Sequence, residues 1–433
     1  MIQIYKWSEI DPKIKMKIMR RAVADIDSIK DQVALIIKDV KEKGDSALVD
    51  YIRKFDNPDF DIKNLKVSAE DIKTAYEKVN PQTLEMIKKQ ISISKKFHEY
   101  QAEQLKKVEN WEIESTKGVI TGQRVTPIDA VGLYVPAGKA PLPTVSQILT
   151  VTAKAAGVPR IVVVFPPTGD HYEIIVAANE AGATEIYRVG GVAGISALAY
   201  GTETIKPVNK IAGPGSPWVQ AAKLQVFGQV GIDMLSGPSE AIILADKTAN
   251  PVYIAADILA RCEHGPDSAG VLITDNLELA EQTKVEILKQ FETLNRKEYI
   301  KKALEAYSAL IVVENFDQAI DLTNEYSPEH LEVMIENPKS LLPKLRNAGS
   351  IFLGNFAPVA VGDYASGTNH CLPTGNAPKF SSPVCVSMFQ KTSEYQILTK
   401  EGLDNLKPIV QMISDVEGLD AHKRSVEIRF NEN

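Results

Sequence analysis

Four of the six histidines in this 433-residue chain lie in segments rich in other reactive side chains. Each has a carboxylate within seven residues on its N-terminal side, an arrangement that suits proton transfer or metal binding. The four pairs are Glu263 with His264, Glu329 with His330, Asp363 with His370, and Glu417 with His422. One such pair is more often structural than functional, but four in a histidine-poor chain predict a shared site. The remaining two histidines are assigned no role.

The adjacent pair Glu329-His330 suits acid–base chemistry. An imidazole titrates near neutral pH, so His330 beside a carboxylate is typical of a general base acting on an alcohol or a water. Asp363, His264 and His422 are ligand types that hold Zn²⁺. Their wide separation in the chain does not by itself support a metal site, because only the fold could bring them together.

Two shorter segments add candidates. In "DILARCEHGPDSAG", residues 257–270, Arg261 and His264 are three apart and would share a helix face. Cys262 falls on the apolar side of that helix and is interpreted as core filling. Ser239, on the turn in "LSGPSE", predicts either a substrate contact or a helix N-cap.

Two glycine-rich loops are candidate phosphate sites. The segments "VGGVAG" (189–194) and "AGPGSPW" (212–218) each follow an apolar run typical of a strand, and exposed backbone N–H groups there would suit phosphates. Neither matches the dinucleotide fingerprint G-x-G-x-x-G, so a plain tight turn is about equally compatible. A ligand crevice is expected at the carboxyl ends of the strands.

The elements that must position these residues change in character along the chain. Residues 14–120 have apolar side chains at helical spacing with charges between them, which predicts mainly helices. From residue 130, short apolar runs alternate with helical segments that end in glycine, which predicts parallel sheets. The last fifty or so residues predict a strand followed by helices. The fold class is therefore α/β, with two units that each have a sheet.

The composition limits the possible functions. A chain with 44% hydrophobic and 24% charged residues is typical of soluble globular proteins, and its length exceeds one compact core. A net charge of −7 and the lack of long apolar runs favour neither a nucleic-acid partner nor a membrane one. Because three cysteines are too few for a disulfide scaffold and the N-terminus is unlike a secretory signal, a cytoplasmic protein is expected.

Together these motifs resemble those of the histidinol dehydrogenase family. The similarity runs from "GQRVTPIDAVGLYVPAGKAP" (122–141) to "VEGLDAHKRSVEIR" (416–429) and includes "KIAGPG", "VGIDMLSGPSE", "CEHGPDS", "SPEHLEV" and "GDYASGTNHCLPT". The resemblance implies a zinc-dependent homodimer that oxidises the primary alcohol of L-histidinol to the carboxylate in two NAD-dependent steps, through the bound aldehyde.

The resemblance also implies a domain organisation. It predicts two incomplete Rossmann-like domains with parallel-sheet cores, plus small N- and C-terminal helical pieces. The expected boundaries are 1–27 for the N-terminal piece, 28–130 plus 241–380 for the first Rossmann-like domain, 131–240 for the second, cofactor-side domain, and 381–433 for a C-terminal piece that reaches the partner subunit.

Roles for individual residues follow from the same resemblance. It implies that His330 takes the alcohol proton and that Glu329 activates the water that attacks the aldehyde. The implied metal ligands are His264, Asp363 and His422. Substrate contacts are expected from Ser239, His264, Asp363, His370, Glu417 and His422, of which Glu417 and His422 come from the partner chain. Arg261, which departs from the family pattern, is a further candidate for a substrate contact. The implied cofactor-side positions are Tyr134, Ala193 and Ser216.

Three positions depart from the family pattern. Arg261 replaces a glutamine ligand, and a guanidinium has no lone pair to give a metal. At roughly 4 Å, it would repel a unit cation by about 4 kcal/mol, and a divalent ion about twice as strongly. Arg261 could pair with Asp257 one turn back, or replace the metal's charge by binding an anionic substrate group or neutralising Asp363. Ala193 stands where the family has a glutamine and Ser216 where it has an asparagine, and both of those side chains contact the dinucleotide.

Three functions therefore stay open. The first is histidinol oxidation with a modified metal site, and the second is oxidation of a different hydroxy compound with an anionic group. The third is a non-catalytic binding protein on a Rossmann-like scaffold, suggested by Ala193 and Ser216. The retained Glu329-His330 pair favours an enzyme. The sequence does not distinguish NAD from NADP.

Overall fold

The computed structural model describes residues 1–22, 26–138, 141–235 and 237–430. The chain divides into two compact units. The larger comprises Met1–Glu99 and Ile128–Phe389, and the smaller comprises Tyr100–Pro127 and Gln390–Asn433. No helix among the described residues is both long and apolar enough to cross a membrane.

The larger unit contains a six-stranded sheet. Its strands are β1 (Ile4–Lys6), β9 (Glu240–Ala245), β10 (Ala269–Thr274), β11 (Ala309–Val312), β12 (His330–Met334) and β13 (Ser350–Leu353). They lie in the order β1-β11-β10-β9-β12-β13, and all neighbours are parallel. Every residue of β9, β10 and β12 is buried, as expected for parallel strands covered by helices on both faces.

A second, five-stranded parallel sheet lies in the same unit. Its strands are β4 (Ala130–Tyr134), β5 (Arg160–Phe165), β6 (Glu185–Arg188), β7 (Lys210–Ala212) and β8 (Gly231–Ile232). Their order, β6-β5-β4-β7-β8, is the 3-2-1-4-5 order of a Rossmann half with one more strand. Strands β9 to β13 repeat that order, with β1 added at the edge. The prediction of two incomplete Rossmann-like sheets is confirmed.

The described ranges contain sixteen α-helices in the two units together. They are α1 (Pro12–Arg20), α2 (Lys30–Lys43), α3 (Asp45–Phe55), α4 (Ala69–Lys78), α5 (Pro81–Glu109), α6 (Pro143–Ala155), α7 (Tyr172–Ala181), α8 (Gly191–Tyr200), α9 (Pro217–Val226), α10 (Pro251–Cys262), α11 (Leu277–Phe291), α12 (Lys297–Ala306), α13 (Phe316–Tyr326), α14 (Val359–Tyr364), α15 (Lys400–Glu417) and α16 (Asp420–Glu427).

Two packing relationships differ from the predicted domain boundaries, which otherwise stay a prediction. The apolar faces of α2 and α3 share one core with α8 and the five-stranded sheet, so residues 28–55 do not pack with the six-stranded sheet. The first residues of the chain form β1, which pairs with β11 as an edge strand. The N-terminal piece is therefore not purely helical.

The smaller unit contains an antiparallel sheet of β2 (Trp111–Thr116), β3 (Val119–Pro127) and β14 (Gln390–Leu398), in the order β14-β3-β2. The prediction of helix up to residue 120 is wrong here. All six residues of β2 are exposed, so its sequence has no buried face that would mark a strand. The predicted strand and helices at the C-terminus are confirmed as β14, α15 and α16.

Candidate functional site

The predicted polar residues of the larger unit meet at the amino edge of the six-stranded sheet. Strands β9 and β12 are parallel neighbours with His330 opposite Ala241, so Ser239 and Glu329, just before each strand, lie side by side. Helices α10 and α14 run back against the strand direction, so their last turns bring Arg261 and Asp363 to the same edge. These residues thus lie at the edge opposite to the carboxyl ends, where the sequence predicts a ligand crevice, and for this sheet that crevice stays a prediction.

A tight turn delivers the pair Glu329-His330. Helix α13 ends at Tyr326, and Ser327 adopts a left-handed conformation with φ 56°, which is uncommon for a residue with a side chain. Its N–H still bonds to the carbonyl of Thr323 at 2.9 Å. The chain reverses there and enters β12 with both reactive side chains at its start.

Five side chains form a closed ring of polar contacts, called here the polar ring: Ser239, Arg261, Glu329, His330 and Asp363. Arg261 Nη1 donates to Ser239 Oγ at 2.6 Å, and Ser239 Oγ donates to Glu329 Oε2 at 2.8 Å. Glu329 Oε2 lies 3.3 Å from His330 Nδ1. His330 Nε2 lies 3.6 Å from Asp363 Oδ1, and Asp363 Oδ2 accepts from Arg261 Nη2 at 3.3 Å. The ring thus places Arg261 against Asp363, and the imidazole of His330 between Glu329 and Asp363.

The ring contacts define the tautomer of His330. Its Nδ1 lies 3.1 Å from the carbonyl oxygen of Glu240, which can only accept, so the proton is assigned to Nδ1. Nε2 has no hydrogen-bond partner among the described residues and keeps its lone pair. Burial and Arg261 act to lower the pKa of His330, but the carboxylates of Glu329 and Asp363 outweigh them and raise it. The imidazole is thus a base held against a carboxylate.

The two carboxylates of the ring are ionised at neutral pH. Burial acts to raise the pKa of Glu329, yet His330 and Arg261 together lower it. Burial likewise opposes ionisation of Asp363, but the nearby imidazole of His330 and the charge of Arg261 hold its pKa well below the usual range. The ring therefore combines two carboxylates, a guanidinium and a basic imidazole.

A buried ion pair that the sequence did not reveal supports the ring from behind. The carboxylate of Glu240 accepts from Arg21 Nη1 at 3.0 Å and from the Glu329 N–H at 3.2 Å. The Glu240 N–H in turn donates to Glu329 Oε2 at 3.0 Å. The guanidinium of Arg21 stacks 3.6 Å from the ring of Tyr326. Arg21 and Glu240 are 219 residues apart, and although Glu240 ends the segment "LSGPSE", Arg21 belongs to no motif, so no sequence signal could pair them.

The contacts decide between the two interpretations of Arg261. Its guanidinium neutralises Asp363, while the carboxyl of Asp257 hydrogen-bonds to Glu332 instead. With Nη1 and Nη2 both engaged, the contacts do not favour an anionic substrate group on Arg261. The core interpretation of Cys262 is confirmed by its complete burial. The alternative of an N-cap at Ser239 is wrong, because a strand follows it.

The remaining candidate residues have different surroundings. His264 is solvent-exposed and His370 half-buried, and both lie within the electrostatic reach of Asp363, Glu329 and His330. Glu417 ends α15 and His422 lies in α16, both exposed, in the smaller unit. Their predicted contribution to a partner's site stays a prediction.

The residues that a single chain brings to this edge do not fit a zinc ion. Structural and catalytic zinc sites use three or four protein donors. Across the described ranges, no group of three or more His, Cys, Asp or Glu side chains is arranged to hold a metal. The nearest charged donor, Asp363, is bound by Arg261, and a guanidinium cannot itself be a ligand.

The glycine loops lie at the carboxyl ends of the strands of the five-stranded sheet, whereas the polar ring lies at the amino ends of the strands of the other sheet. There a cavity of about 360 Å³ opens beside the ends of β6 and β7. Its lining comprises Ile36, Tyr51, Ile52, Phe55, Asp56, Gly190, Gly191, Val192, Ala193, Ser216 and Trp218. The predicted cofactor positions Ala193 and Ser216 thus share one cavity, and Tyr134 borders it, accepting a hydrogen bond from the Gly191 N–H at 3.3 Å.

Backbone approach and aromatic walls shape this cavity. Gly213 has φ 130°, and a Cβ there would collide with the Tyr134 carbonyl. Tyr51 and Phe55, one turn apart on α3, are stacked with ring centroids 6.1 Å apart. Burial raises the pKa of the neighbouring Asp56 to about 6. Sequence reasoning missed these α3 residues, although their spacing of four was a signal that they share a helix face.

The comparisons with known proteins identify the family. The model of the histidinol dehydrogenase family matches residues 19–430. The chain belongs to this family. It is 42% identical to the histidinol dehydrogenase of Methanothermobacter thermautotrophicus, covering 99% of this chain and 100% of that one, and 44% identical to that of Listeria innocua, covering 94% of both.

A solved structure agrees with the sequence relatives. The crystal structure of histidinol dehydrogenase from Elizabethkingia anophelis superposes with a TM-score of 0.92 at 36% identity, covering 99% of this chain and 98% of that one. Histidinol dehydrogenases are NAD-dependent oxidoreductases. Membership therefore does not favour the alternative of a non-catalytic binding protein.

Proposed function

We propose that the protein oxidises L-histidinol to L-histidine through the bound aldehyde, with NAD as the hydride acceptor. Family membership supports the reaction class. The observation that carries the proposal is the unpaired Nε2 of His330, held 3.6 Å from the carboxylate of Asp363. A buried basic nitrogen beside a carboxylate is the arrangement that proton removal from an alcohol requires.

His330 acts in the first oxidation. Its Nδ1–H is fixed on the Glu240 carbonyl, so Nε2 takes the alcohol proton and the imidazolium that forms is stabilised by Asp363. NAD, when bound, accepts the hydride from the carbinol carbon, and the protein's task is to align that carbon. Loss of one proton and one hydride converts the alcohol to the aldehyde.

Glu329 acts in the second oxidation. Its carboxylate accepts hydrogen bonds from Ser239 and the Glu240 N–H, and its lowered pKa keeps it ionised. It activates a water that adds to the aldehyde carbon, which gives a hydrate with a new O–H group. As the hydrate forms, His330 returns the proton it took in the first oxidation to the former carbonyl oxygen and is a base again. It then takes a hydrate proton as the second hydride leaves, which a second NAD would accept, and the resulting carboxylic acid ionises to the carboxylate.

The cavity beside β6 and β7 is the proposed cofactor site. Its position at the carboxyl ends of the five-stranded sheet suits a dinucleotide, and its stacked Tyr51 and Phe55 suit an aromatic base. The side chains of Ala193 and Ser216 are shorter than the amides expected there. Backbone and apolar contacts therefore carry more of the binding.

We also propose a homodimer whose C-terminal piece completes the site of the other copy through Glu417 and His422. The exposure of both residues on α15 and α16 supports this arrangement. Mixed dimers of H330N and H422A chains contain one intact site in each heterodimer. They should regain about a quarter of wild-type activity, since a two-fold dimer shares its sites equally. Mixing without any recovery would contradict the shared site.

The test of the reaction is the stoichiometry of cofactor reduction. Purified protein with NAD and limiting L-histidinol should reduce two equivalents of NAD per substrate, followed by the absorbance of the reduced cofactor. The variant E329Q should stop after one equivalent and release or retain the aldehyde, because the water is not activated. A panel of other amino alcohols and hydroxy acids serves as control. Faster turnover of one of those compounds would show that it, and not L-histidinol, is the substrate.

A further inference from the structure

Arg261 joins the two sides of the polar ring. Its Nη1 donates to Ser239, which holds Glu329, and its Nη2 donates to Asp363, which faces His330. The side chain is only 5% exposed, so this cation is buried among the groups that move protons. Arg261 contacts the carboxylate of Asp363 directly and is linked to that of Glu329 through Ser239.

The guanidinium and a metal ion would compete for the same carboxylate. Asp363 has Oδ2 on Arg261 and Oδ1 near His330 Nε2. A divalent ion at Asp363 would meet the repulsion of Arg261, or displace it and leave a buried charge without its partner. Either outcome makes metal binding at this carboxylate unfavourable.

The backbone also favours a cation at this point. Arg261 lies in the last turn of α10, where the unsatisfied carbonyls carry partial negative charge. A guanidinium is always protonated and presents a planar fork of donors to oxygen acceptors. It therefore supplies a permanent positive charge between Ser239 and Asp363 that does not depend on whether a metal ion is bound.

We propose that Arg261 is the resident cation of this site and replaces a divalent metal, so that the protein turns over its substrate without zinc. The inference rests on the proposed oxidation of an amino alcohol. Arg261 is a positioning residue: it holds Asp363 against His330 and Ser239 against Glu329. Without a metal to take a neutral amine, the ionised carboxylates recognise the substrate's amino group as an ammonium.

Zinc content gives the first test. Wild-type protein, expressed with added zinc and dialysed, should hold less than about 0.1 zinc per chain by mass spectrometry, and a chelator should leave turnover unchanged. Calorimetric titration with ZnCl₂ should detect no tight site. The variant R261Q, which restores a neutral donor, should retain about one zinc per chain. Wild-type protein that keeps one zinc per chain and loses activity with chelator would overturn the proposal.

Chemical rescue gives the second test. The variant R261A should lose about 100-fold in kcat with little change in the KM for NAD, because the ring loses its alignment. Guanidinium chloride at low concentration should restore part of that rate, whereas sodium chloride should not. The exposed arginine variant R296Q is the matched control and should keep wild-type kcat and metal content. Wild-type kcat in R261A would refute the positioning role.

The two proposals fail separately. Metal content and zinc titration need no turnover, so they judge Arg261 even if L-histidinol is not the substrate. Conversely, absence of NAD reduction with L-histidinol would refute the proposed reaction and leave the zinc measurements intact. If thermal melting shows that R261A does not fold, the zinc content and chelator response of the wild type decide alone.

Discussion

The two parallel sheets of the larger unit share a strand order but use opposite edges. The six-stranded sheet gathers the polar ring at the amino ends of β9 and β12, whereas the five-stranded sheet opens its cavity at the carboxyl ends of β6 and β7. The ring is made of polar side chains, and the charges among them partly neutralise one another. The cavity is made of glycine turns and largely apolar walls.

This difference teaches that strand order does not decide which edge carries function. In the six-stranded sheet, the last turns of α10 and α14 and the turn at Ser327 bring the reactive side chains to the amino edge. In the five-stranded sheet, it is chosen by glycines that let backbone approach backbone. In the proposed function, proton transfer and cofactor binding fall in these separate regions, and variants should affect one without the other.

The largest expected effect is the loss of kcat when His330 is replaced, and it distinguishes the polar ring from the cavity. H330N removes the base but keeps an amide N–H for the Glu240 carbonyl, so kcat should fall about 1,000-fold. The affinity for NAD, measured by fluorescence titration, should stay within a factor of two or so, because the cavity is untouched. A comparable loss in NAD affinity would mean that the two regions are not independent.

The next effect concerns stability behind the ring. R21M leaves Glu240 buried without its partner and should lower the free energy of unfolding by about 3 kcal/mol in urea denaturation. Its exposed neighbour provides the control, since R20M should change stability by less than about 0.5 kcal/mol. Equal effects of the two substitutions would show that the Arg21–Glu240 pair does not hold the ring.

A smaller effect tests the cavity by pH. Burial raises the folded-state pKa of Asp56 from 3.8 to about 6, so the ionised form destabilises the fold. Wild-type stability should fall relative to D56N as pH rises from about 4 to about 6, with a difference of about 2 kcal/mol at neutral pH and none in acid. Denaturation midpoints of both proteins across that range measure it. A difference that grows towards acid would have the wrong sign.

The smallest expected effect concerns cofactor stacking. F55A removes one of the two stacked rings and should raise the KM for NAD about fivefold while leaving kcat at saturating NAD unchanged. Phe227 is similarly exposed but lies outside the cavity, so F227A should leave both constants as they are. A kcat loss in F55A would link the cavity to the chemistry.

The sequence predicted the layers of the fold because periodicity reports burial. Strands such as β9 and β10 are fully buried and apolar runs mark them, while the exposed β2 carries no such pattern and was taken for helix. Strand order and the edge positions of β1 and β13 depend on pairing between distant segments, which no local pattern records.

The site was partly predictable for a related reason. Glu329 and His330 are adjacent in the chain, and their chemistry is evident from residue type alone. The Arg21–Glu240 pair and the α3 residues of the cavity were missed, because they have ordinary residue types and acquire their role only through tertiary contacts. The alternatives for Arg261 needed the position of Asp363, which is 102 residues away.

Helices α10 and α13 both end at the edge where the polar ring lies. Phosphate esters are usually bound by helix N-termini, whereas these are C-terminal ends, with partial negative charge beside the ionised Glu329 and Asp363. A phosphorylated amino alcohol would be repelled by this field, and the free alcohol, carrying an ammonium, would be attracted. Where both compounds are present, backbone polarity therefore favours the free alcohol, by up to about 1 kcal/mol for each helix end.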